Sequence, residues 1–461
     1  MSTKPPPFRK ILIANRGEIA VRIARTLREM GIGSVAIFSD ADQGAPHVRA
    51  ADEAYPVGPA APAQSYLHQD RILEVARESG AEAIHPGYGF LAENAGFARR
   101  CGEAGIIFIG PPPTVIEAMG NKIEARRAAR EAGLPIVPGT DEPLADAHAI
   151  SRVASELGYP VLIKAAAGGG GYGMRVVQSE ADVQAALDGV RRDAQRAFGD
   201  STVYVEKYFA TAPRHVEIQI LGDQQGHIVH LGERECSLQR RFQKVIEETP
   251  SPGIDVALRR RMGKAAVALA RGIGYASAGT VECLVDKEGE FYFLEMNTRL
   301  QVEHPVTELV TGLDLVREMV RIAAGERLSV PSEGIVAHGH AIEVRVYAED
   351  PARAFMPSPG EIVGVTVPSL PNLRIDSAIE VGSRISIYYD PMIAKISAWG
   401  EDRAEALTTL RRALGGYQVE GVKTNLPYLR RLLATDDFAA GHFHTRYIDE
   451  TLAELMSRTG E

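Results

Sequence analysis

Apolar runs that alternate with amphipathic stretches predict an open parallel sheet at the start of the chain. The runs predict strands at 10–14, 34–38, 83–85 and 106–109, and the amphipathic stretches predict helices ending at Met30 and covering 69–79. Strands that alternate with helices are typical of a doubly wound sheet with helices on both faces. The first part of the chain is therefore predicted to be α/β.

Polar and glycine-containing segments follow two of these strands. Asn15–Glu18 follows the first strand, and His85–Gly89 follows the third. Ligands of such sheets collect beyond the carboxyl ends of the strands, so both segments are candidate ligand contacts. The glycines are equally consistent with plain turns. No G-x-G-x-x-G follows the first strand, which gives a dinucleotide site little support.

The most informative pattern lies in residues 290–304, where every second residue from 295 onward is polar or charged. Successive side chains of a strand point to opposite faces, so these residues are predicted to share one face of a strand: Glu295, Asn297, Arg299, Gln301 and Glu303. A solvent-facing polar strand is the alternative interpretation.

A second strand is predicted at 280–286, with a turn at Glu288-Gly289 that would place Glu282 opposite Glu295. Facing carboxylates repel unless a cation lies between them. Mg²⁺ prefers oxygen ligands and is often bound by carboxylates together with substrate phosphates. The hairpin is therefore predicted to form a metal–phosphate site.

A glycine-rich loop follows a strand that ends near Lys164. Gly168, Gly169, Gly170, Gly171 and Gly173 lie within six positions. Such runs let backbone N–H groups approach phosphate oxygens, and a nearby lysine can add a positive charge. A flexible surface loop is the alternative, and the sequence contains no Walker A motif.

Composition and charge narrow the class of protein. The chain has 461 residues, 45% of them hydrophobic and 24% charged, with a net charge of −9, which argues against a surface that coats nucleic acid. The three cysteines, Cys101, Cys236 and Cys283, are far apart and without a CxxC pair, as expected in a reducing compartment. No apolar run reaches transmembrane length and no signal peptide is apparent, so we expect a cytoplasmic protein that does not associate with membranes.

Ordered motifs make the chain resemble the biotin carboxylase family of ATP-grasp enzymes from Arg9 to about Tyr447. The matching strings are IANRGEIA, HPGYGFLAEN, AAAGGGGYGM, EKYF, PRHVEIQ, ECSLQRRFQK, EMNTRLQVEHPVTE, YAEDP, MPSPG and GVKTNLPYL.

The resemblance implies three domains of mixed α/β and α+β class. Residues 1–120 would form the doubly wound open sheet, and 121–335 the ATP-grasp domain with a mobile glycine-loop lid at about 138–209. Residues 336–461 would form an α+β cap.

The implied reaction is carboxylation of biotin, driven by ATP and bicarbonate through carboxyphosphate. The implied cofactors are ATP and two Mg²⁺ or Mn²⁺ ions, and biotin arrives as a carrier-bound substrate. No Met-Lys-Met attachment signature occurs, so the carrier protein and the carboxyltransferase are expected to be separate polypeptides. The alternative is that this chain is a fragment of a longer one. An acetyl-CoA carboxylase, and with it fatty acid biosynthesis, is the expected context.

The resemblance also assigns roles to residues. Metal ligands would be Glu282, Glu295 and Asn297. Nucleotide contacts would come from Lys122, Lys164, Gly168 to Gly171, Glu206, Lys207, Tyr208, Phe209, His215 and Gln239. Lys244, Arg299 and the backbone of Val302 would hold bicarbonate, with Glu303 as its general base. Arg299 would also stabilise the biotin enolate, and Arg345 would contact biotin.

Two positions depart from the family pattern. Tyr172 stands where Arg or Lys is common, and Phe242 stands where many members have His near the ribose. A homodimer is expected, because Arg25, Glu29 and Arg374 match interface positions. Two other functions remain open: a different ATP-grasp ligase that joins a carboxylate to an amine, and a non-catalytic nucleotide-binding subunit.

Overall fold

A parallel five-stranded sheet forms the first part of the chain. The structure is a computed structural model that describes residues 6–167, 173–331 and 335–457. The strands are β1 (Lys10–Ile13), β2 (Gly33–Ser39), β3 (Glu53–Gly58), β4 (Ala83–His85) and β5 (Ile107–Phe108). Their order is β3-β2-β1-β4-β5, which confirms the predicted doubly wound sheet.

Helices cover this sheet and lead into the next part of the chain. They are α1 (Gly17–Glu29), α2 (Pro46–Ala50), α3 (Gln69–Ser79), α4 (Ala95–Glu103), α5 (Pro113–Gly120) and α6 (Lys122–Glu131), with 3₁₀ turns at Asp40–Asp42 and Pro62–Gln64. The predicted helix over 69–79 is confirmed. Strand β3 was not predicted, because Pro56 interrupts its pattern. Proline is tolerated there since β3 is an edge strand of this sheet.

A small three-stranded sheet with two helices lies within the proposed lid. Its elements are α7 (Ala147–Leu157), β6 (Val161–Ala165), β7 (Met174–Val177), the 3₁₀ turn Glu180–Asp182, α8 (Val183–Phe198) and β8 (Val203–Lys207). Strand β6 pairs antiparallel with both β7 and β8, and apolar residues on these strands and on both helices form one buried cluster.

A large antiparallel sheet of eight strands follows along the chain. The strands of its first half are β9 (Arg214–Gly222), β10 (Ile228–Arg240), β11 (Gln243–Thr249), β12 (Ser277–Val285) and β13 (Phe291–Asn297). The accompanying helices are α9 (Val256–Gly272), α10 (His304–Thr311) and α11 (Leu315–Ala323).

The last part of the chain completes this sheet with β14 (His340–Tyr347), β19 (Leu373–Ser377) and β21 (Met392–Gly400), in the order β13-β12-β9-β10-β11-β14-β21-β19. Shorter strands are β15 (Glu349–Asp350), β16 (Met356–Pro357), β17 (Gly360–Glu361), β18 (Gly364–Thr366), β20 (Arg384–Ile385) and β22 (Gln418–Glu420), and Pro351–Arg353 is a 3₁₀ turn. Helices α12 (Arg403–Gly416), α13 (Leu426–Ala434), α14 (Asp436–Ala440) and α15 (Tyr447–Ser457) follow. The proposed boundary at 335/336 therefore falls between segments that share one sheet.

Across the described residues, we find no helix with the length and apolar character that a membrane span needs.

Candidate active site

One cleft of about 700 Å³ lies between the small sheet and the large antiparallel sheet. It collects side chains that are far apart in sequence and that the sequence analysis singled out. These lining residues are Lys122, Lys164, Glu206, Lys207, Tyr208, Phe209, His215, Gln239, Lys244, Glu282, Glu295, Asn297, Arg299, Val302 and Arg345. The cleft is large enough for a nucleotide-sized ligand.

Strands β12 and β13 place Glu282 directly opposite Glu295, as predicted. The turn differs from the prediction, because the backbone N–H of Asp286 donates to the carbonyl oxygen of Glu290 across a three-residue loop. A bulge between the pairs Glu282/Glu295 and Cys283/Phe293 restores the register. The extra residue is Leu294, so it lines the cleft beside Glu295 although its position in the sequence predicts the opposite face.

The strand itself is shorter than predicted. Strand β13 ends at Asn297, and residues 298–303 run as an irregular segment to the start of α10. The prediction of a strand that continues to Glu303 is therefore wrong. Arg299 and Val302 line the cleft nevertheless, but their directions are set by side-chain contacts and not by the pleat of a sheet.

The predicted metal ligands offer only oxygen atoms to the cleft and are paired with cations or amides. Lys122 Nζ lies 2.9 Å from Oε2 of Glu295, and Lys244 Nζ lies 2.9 Å from Oε1 of Glu282. Asn297 donates from Nδ2 to Glu282, which leaves its Oδ1 atom toward Arg299. Two carboxylates and an amide oxygen are a donor set that fits a hard divalent cation.

Lys244 is the centre of a buried charge cluster. Its Nζ atom donates to Glu217 at 2.6 Å, to Glu282 at 2.9 Å and to Glu303 at 2.6 Å. Burial lowers the pKa of Lys244, but the surrounding thiol and carboxylates raise it well above its ordinary value. Lys244 is therefore charged at all physiological pH values.

Glu303 is fully buried and does not line the cleft. It lies behind two cations, accepting from Lys244 through Oε1 and from Arg345 Nη2 through Oε2 at 2.9 Å. Burial raises the pKa of Glu303, but Lys244, Arg345 and Arg234 outweigh it and hold the pKa well below the ordinary value. An ionised carboxylate between two cations can accept a proton only from a substrate that reaches it past one of them.

Arg299 and Arg345 bring two guanidinium groups to the same end of the cleft. Arg299 donates from Nε to Glu93 at 2.7 Å and from Nη1 to Gln301 at 2.6 Å. Arg345 donates from Nε to Glu247 at 2.6 Å. Together with Lys244 they offer N–H donors to an anion such as bicarbonate, although each of the three cations is also paired with carboxylates.

The other end of the cleft suits a nucleotide. Lys164 donates from Nζ to Glu206 at 2.9 Å, and Arg126 donates to the other oxygen of that carboxylate at 2.6 Å. The side chain of Glu206 is thus occupied by cations. Apolar side chains line this end of the cleft and can pack against an aromatic base: Val137, Leu162, Met174, Leu284 and Leu294.

His215 and Gln239 lie next to each other on β9 and β10. Gln239 Nε2 lies 3.1 Å from Nδ1 of His215, and Nε2 of His215 lies 2.9 Å from Oε2 of Glu282. The predicted sugar contacts are thereby adjacent to the predicted metal ligands, as a bound nucleotide triphosphate would require.

The predicted glycine contacts at Gly168 to Gly171, and Tyr172 beside them, lie outside the described residues. Phe242 lies in the turn between β10 and β11 at a φ of 65°, with 60% of its surface exposed, and lines the cleft.

Several polar residues of the site were missed by the sequence analysis. Glu93, Arg126 and Glu247 each accept from or donate to a predicted site residue but lie far from it in sequence. Glu217 was not missed in this way, because it stands in a polar alternation along β9 that is consistent with a cleft-lining or half-exposed strand. The structure buries it fully between Arg234 and Lys244. Glu93 lies in the motif HPGYGFLAEN, but nothing in that motif predicts its contact with Arg299.

Three family profiles match nearly the entire chain. They are "Biotin carboxylase, N-terminal domain" over residues 7–116, "Carbamoyl-phosphate synthase L chain, ATP binding domain" over 121–330 and "Biotin carboxylase C-terminal domain" over 343–450. Among similar proteins, biotin carboxylase 2 of Bacillus subtilis is 52% identical over 96% of this chain and 100% of its own length. A pyruvate carboxylase subunit of Methanothermobacter thermautotrophicus is also 52% identical, over 96% of this chain and 90% of its own length.

A solved structure agrees with these matches. The biotin carboxylase domain dimer of Hydrogenobacter thermophilus 2-oxoglutarate carboxylase, in complex with MgADP, ADP and bicarbonate, superposes with a TM-score of 0.94. It is 47% identical, and the match covers 97% of this chain and 98% of that one. The predicted family is confirmed: this chain belongs to the biotin carboxylase family of ATP-dependent ligases.

Proposed function

We propose that this protein carboxylates biotin held on a carrier protein, using MgATP and bicarbonate. The observation that carries the proposal is the position of Glu303, which is buried behind the cleft and lies between Lys244 and Arg345. The relatives that bear the biotin carboxylase name, and the bicarbonate in the similar solved structure, support it.

The same observation separates this function from the two alternatives. A ligase that joins a carboxylate to an amine would use the paired carboxylates and the phosphate lysines, but it gives no reason for a base between two cations. A non-catalytic subunit gives no reason for the buried ionic cluster around Lys244, since uncompensated burial of charge is destabilising.

In the proposed reaction, Lys122 and Lys164 hold phosphate oxygens, and Lys244, Arg299 and the backbone of Val302 hold bicarbonate. Glu303 accepts the bicarbonate proton as a bicarbonate oxygen attacks the γ-phosphorus, which forms carboxyphosphate and releases ADP. Carboxyphosphate then breaks its C–O bond to give CO₂ and phosphate.

CO₂ forms a C–N bond with the ureido nitrogen of biotin as its N–H bond breaks, and the phosphate released from carboxyphosphate takes up the proton. Arg299 stabilises the negative charge that develops on the ureido oxygen, and Arg345 contacts biotin from β14. Both guanidinium groups lie at the bicarbonate end of the cleft, so one site serves both half-reactions.

Glu282, Glu295 and Asn297 would hold the metal ions, two Mg²⁺ or Mn²⁺ by analogy with the family. Bound there, the metal supplies charge neutralisation for the triphosphate. Adenine would lie against the apolar wall near Leu284 and Leu294, reached from the segment Glu206 to Phe209.

The test is ATP hydrolysis measured with and without bicarbonate and free biotin. Dependence on bicarbonate, with carboxybiotin formed when biotin is added, is the expected result. Dependence on another acid and an amine would favour the other ligase, and absence of turnover would favour the non-catalytic subunit.

We further propose a homodimer, a separate carrier protein and a separate carboxyltransferase. The dimer of the similar solved structure supports the first of these. In this chain, Arg374 and Arg25 lie close together, because both contact the carboxylate of Asp376, at 2.7 Å and 3.3 Å. The division into domains 1–120, 121–335 and 336–461 also remains our proposal.

The final acceptor, to which the separate carboxyltransferase would pass the carboxyl group from biotin, is proposed to be acetyl-CoA. The similar proteins include a pyruvate carboxylase subunit and a domain of a 2-oxoglutarate carboxylase, so membership of the family does not fix the acceptor. Reconstitution with the carrier and carboxyltransferase of the same cell, assayed with acetyl-CoA against pyruvate, tests this proposal.

A further inference from the structure

The irregular segment 298–303 has to hold Arg299, Val302 and Glu303 in place without the support of a sheet. Its first anchor is Glu93, which belongs to the parallel-sheet part of the chain. Glu93 Oε1 accepts from the backbone N–H of Thr298 at 3.0 Å, and Glu93 Oε2 accepts from Arg299 Nε at 2.7 Å. One carboxylate thus fixes both the backbone at the end of β13 and the guanidinium beyond it.

The loop that carries Glu93 is itself braced. Asn15 donates from Nδ2 to the carbonyl oxygens of Pro86 and Tyr88, both at 2.7 Å. A side chain at Gly87, where φ is +64°, would come within 3.0 Å of Ile19. The residue after Glu93 is the N-cap of α4, with its side chain accepting from Phe97 N–H at 2.8 Å.

These contacts suggest a structural role for Asn15–Glu18 and His85–Gly89, two segments that have no part in the proposed reaction. The segment Asn15–Glu18 holds the loop that begins at His85, and the loop delivers Glu93 to the cleft. The glycines therefore make turns, one of the two interpretations left open by the sequence, but the turns serve a contact between distant parts of the chain.

The guanidinium of Arg299 is held on three sides. Glu93 accepts from Nε, Gln301 Oε1 accepts from Nη1 at 2.6 Å, and Asn297 Oδ1 accepts from Nη2 at 2.8 Å. Gln301 and Asn297 are neighbours of Arg299 and also bind Glu282. Glu93 is the partner that brings a full negative charge and comes from outside the hairpin.

We propose that Glu93 is a positioning residue for carboxyl transfer, fixing the direction of the Arg299 guanidinium toward bicarbonate and biotin. The inference rests on the proposed function, because it acts through the role given to Arg299. Glu93 lies in the parallel-sheet part of the chain and binds the segment that follows β13 of the large sheet. The site therefore depends on how these two parts of the chain pack against each other.

The informative variant is Glu93→Gln. The amide oxygen can still accept from the Thr298 N–H, so the contact with the backbone is kept. The amide nitrogen cannot accept from Arg299 Nε, so the contact that orients the guanidinium is lost. A misplacement of about 1 Å can reduce a rate about 100-fold. We expect biotin carboxylation to fall at least about 10-fold and the bicarbonate KM to rise, with the ATP KM and the thermal midpoint unchanged.

Glu82→Gln is the matched control. Glu82 also lies on the parallel-sheet part of the chain and accepts from a backbone N–H and an arginine Nε, both from Arg9 at 2.7 Å, but it does not line the cleft. Its side chain is 32% exposed, against 39% for Glu93. Glu82→Gln is expected to keep wild-type values of every kinetic parameter.

The outcomes separate the two proposals. If the wild-type protein shows no bicarbonate-dependent ATP cleavage, the proposed function fails. If the wild type is active and Glu93→Gln keeps its carboxylation rate and bicarbonate KM, the positioning role is overturned. An equal rise in the ATP KM and the bicarbonate KM would also overturn it, as would a fall in carboxylation rate that Glu82→Gln shows to the same extent. Either result would mean a general structural effect.

Discussion

Lys122 and Glu295, the residues proposed for phosphate and for metal, neutralise each other across the cleft, with Nζ and Oε2 2.9 Å apart. Lys244 and Glu282 repeat the arrangement at the same distance. In each of these two pairs, the opposite charges therefore compensate each other. Phosphate and metal can enter together, each replacing one member of a pair, whereas either alone would leave an uncompensated charge in a partly buried site.

Glu295→Gln is expected to reduce MgATP cleavage about 100-fold or more, because it removes a metal carboxylate and leaves Lys122 unpaired. The free Lys122 should also make metal-free ATP bind better relative to MgATP than it does in the wild type. Titration with ATP in the presence of magnesium or of a chelator measures this preference. Glu290→Gln, which changes an exposed carboxylate paired with Arg261 just before β13, is the control. Normal turnover of Glu295→Gln at ordinary magnesium levels would contradict the metal assignment.

Glu303 and Arg299 are expected to fail in different half-reactions. Glu303→Gln should abolish bicarbonate-dependent ATP cleavage while nucleotide still binds, since the phosphate and metal residues are unchanged. Arg299→Ala should reduce carboxyl transfer to biotin more than ATP cleavage, because its charge is needed on the ureido oxygen. Assays of both half-reactions in both variants decide. Equal loss of both activities in the two variants would show that the separate roles are wrong.

The sequence could predict the paired carboxylates because two-residue periodicity is a local property. Glu282 and Glu295 face each other as expected, even though a three-residue loop and a bulge replace the two-residue turn. The end of β13 could not be predicted in the same way. The polar alternation continues through residues 298–303, while the backbone has already left the sheet.

Contacts between distant segments could not be predicted from the sequence, and the reason is physical. Glu93 meets Arg299 across 206 residues, and Arg345 meets Glu247 across 98. No local periodicity encodes such a pair, since it depends on how whole layers pack. The parallel sheet, by contrast, followed from apolar runs and helix lengths, except where Pro56 concealed the edge strand β3.

Lys244→Gln is expected to shift the acidic limb of the ATP-cleavage pH profile to higher pH. Burial raises the pKa of Glu303 and of Glu282, and Lys244 is the largest opposing influence on both. Without its charge, each carboxylate takes up a proton at a higher pH than in the wild type, and the base is lost sooner on acidification. The pH at the midpoint of the acidic limb is the quantity to measure. The maximal rate is not informative, because removing Lys244 also removes a proposed bicarbonate contact and lowers that rate. Lys287→Gln, an exposed lysine in the hairpin loop, should leave the midpoint unchanged. A midpoint that does not move in Lys244→Gln would contradict the electrostatic account.

Glu343 is expected to make the protein less stable as the pH rises. Burial raises the pKa of Glu343 from 4.5 to about 8. The charge of Lys395 opposes this rise, and the charge of Glu247 adds to it. Between these values the folded state binds the proton and the unfolded state does not, so the free energy of unfolding falls with increasing pH.

Glu343→Gln removes that titration while its amide can still accept from Ser397, whose Oγ atom lies 2.6 Å from Oε2 of Glu343. The variant should gain stability relative to the wild type between about pH 5 and about pH 8, with little difference at the acidic end. Urea unfolding at several pH values measures the difference. A difference that is constant with pH would contradict the raised pKa, because it would mean that Glu343 has the same pKa in the folded and unfolded states.

Phe242 allows backbone strain to be separated from nucleotide contact. Arg241 and Phe242 form the two-residue turn between β10 and β11, both with positive φ, at 50° and 65°. Asn and Gly are favoured at such positions, where an ordinary residue loses about 1 kcal/mol. Phe242→Asn should therefore raise the thermal midpoint and leave the ATP KM unchanged.

Phe242→His restores the residue that the family commonly carries near the ribose. Because Phe242 lines the cleft, its replacement by an imidazole adds a polar group where the nucleotide sugar is expected. We expect a lower ATP KM, an unchanged bicarbonate KM and no gain in the thermal midpoint, since the strain of the turn persists. If Phe242→Asn lowers the ATP KM as much as Phe242→His does, relief of backbone strain, and not a contact with the sugar, sets nucleotide affinity at this turn.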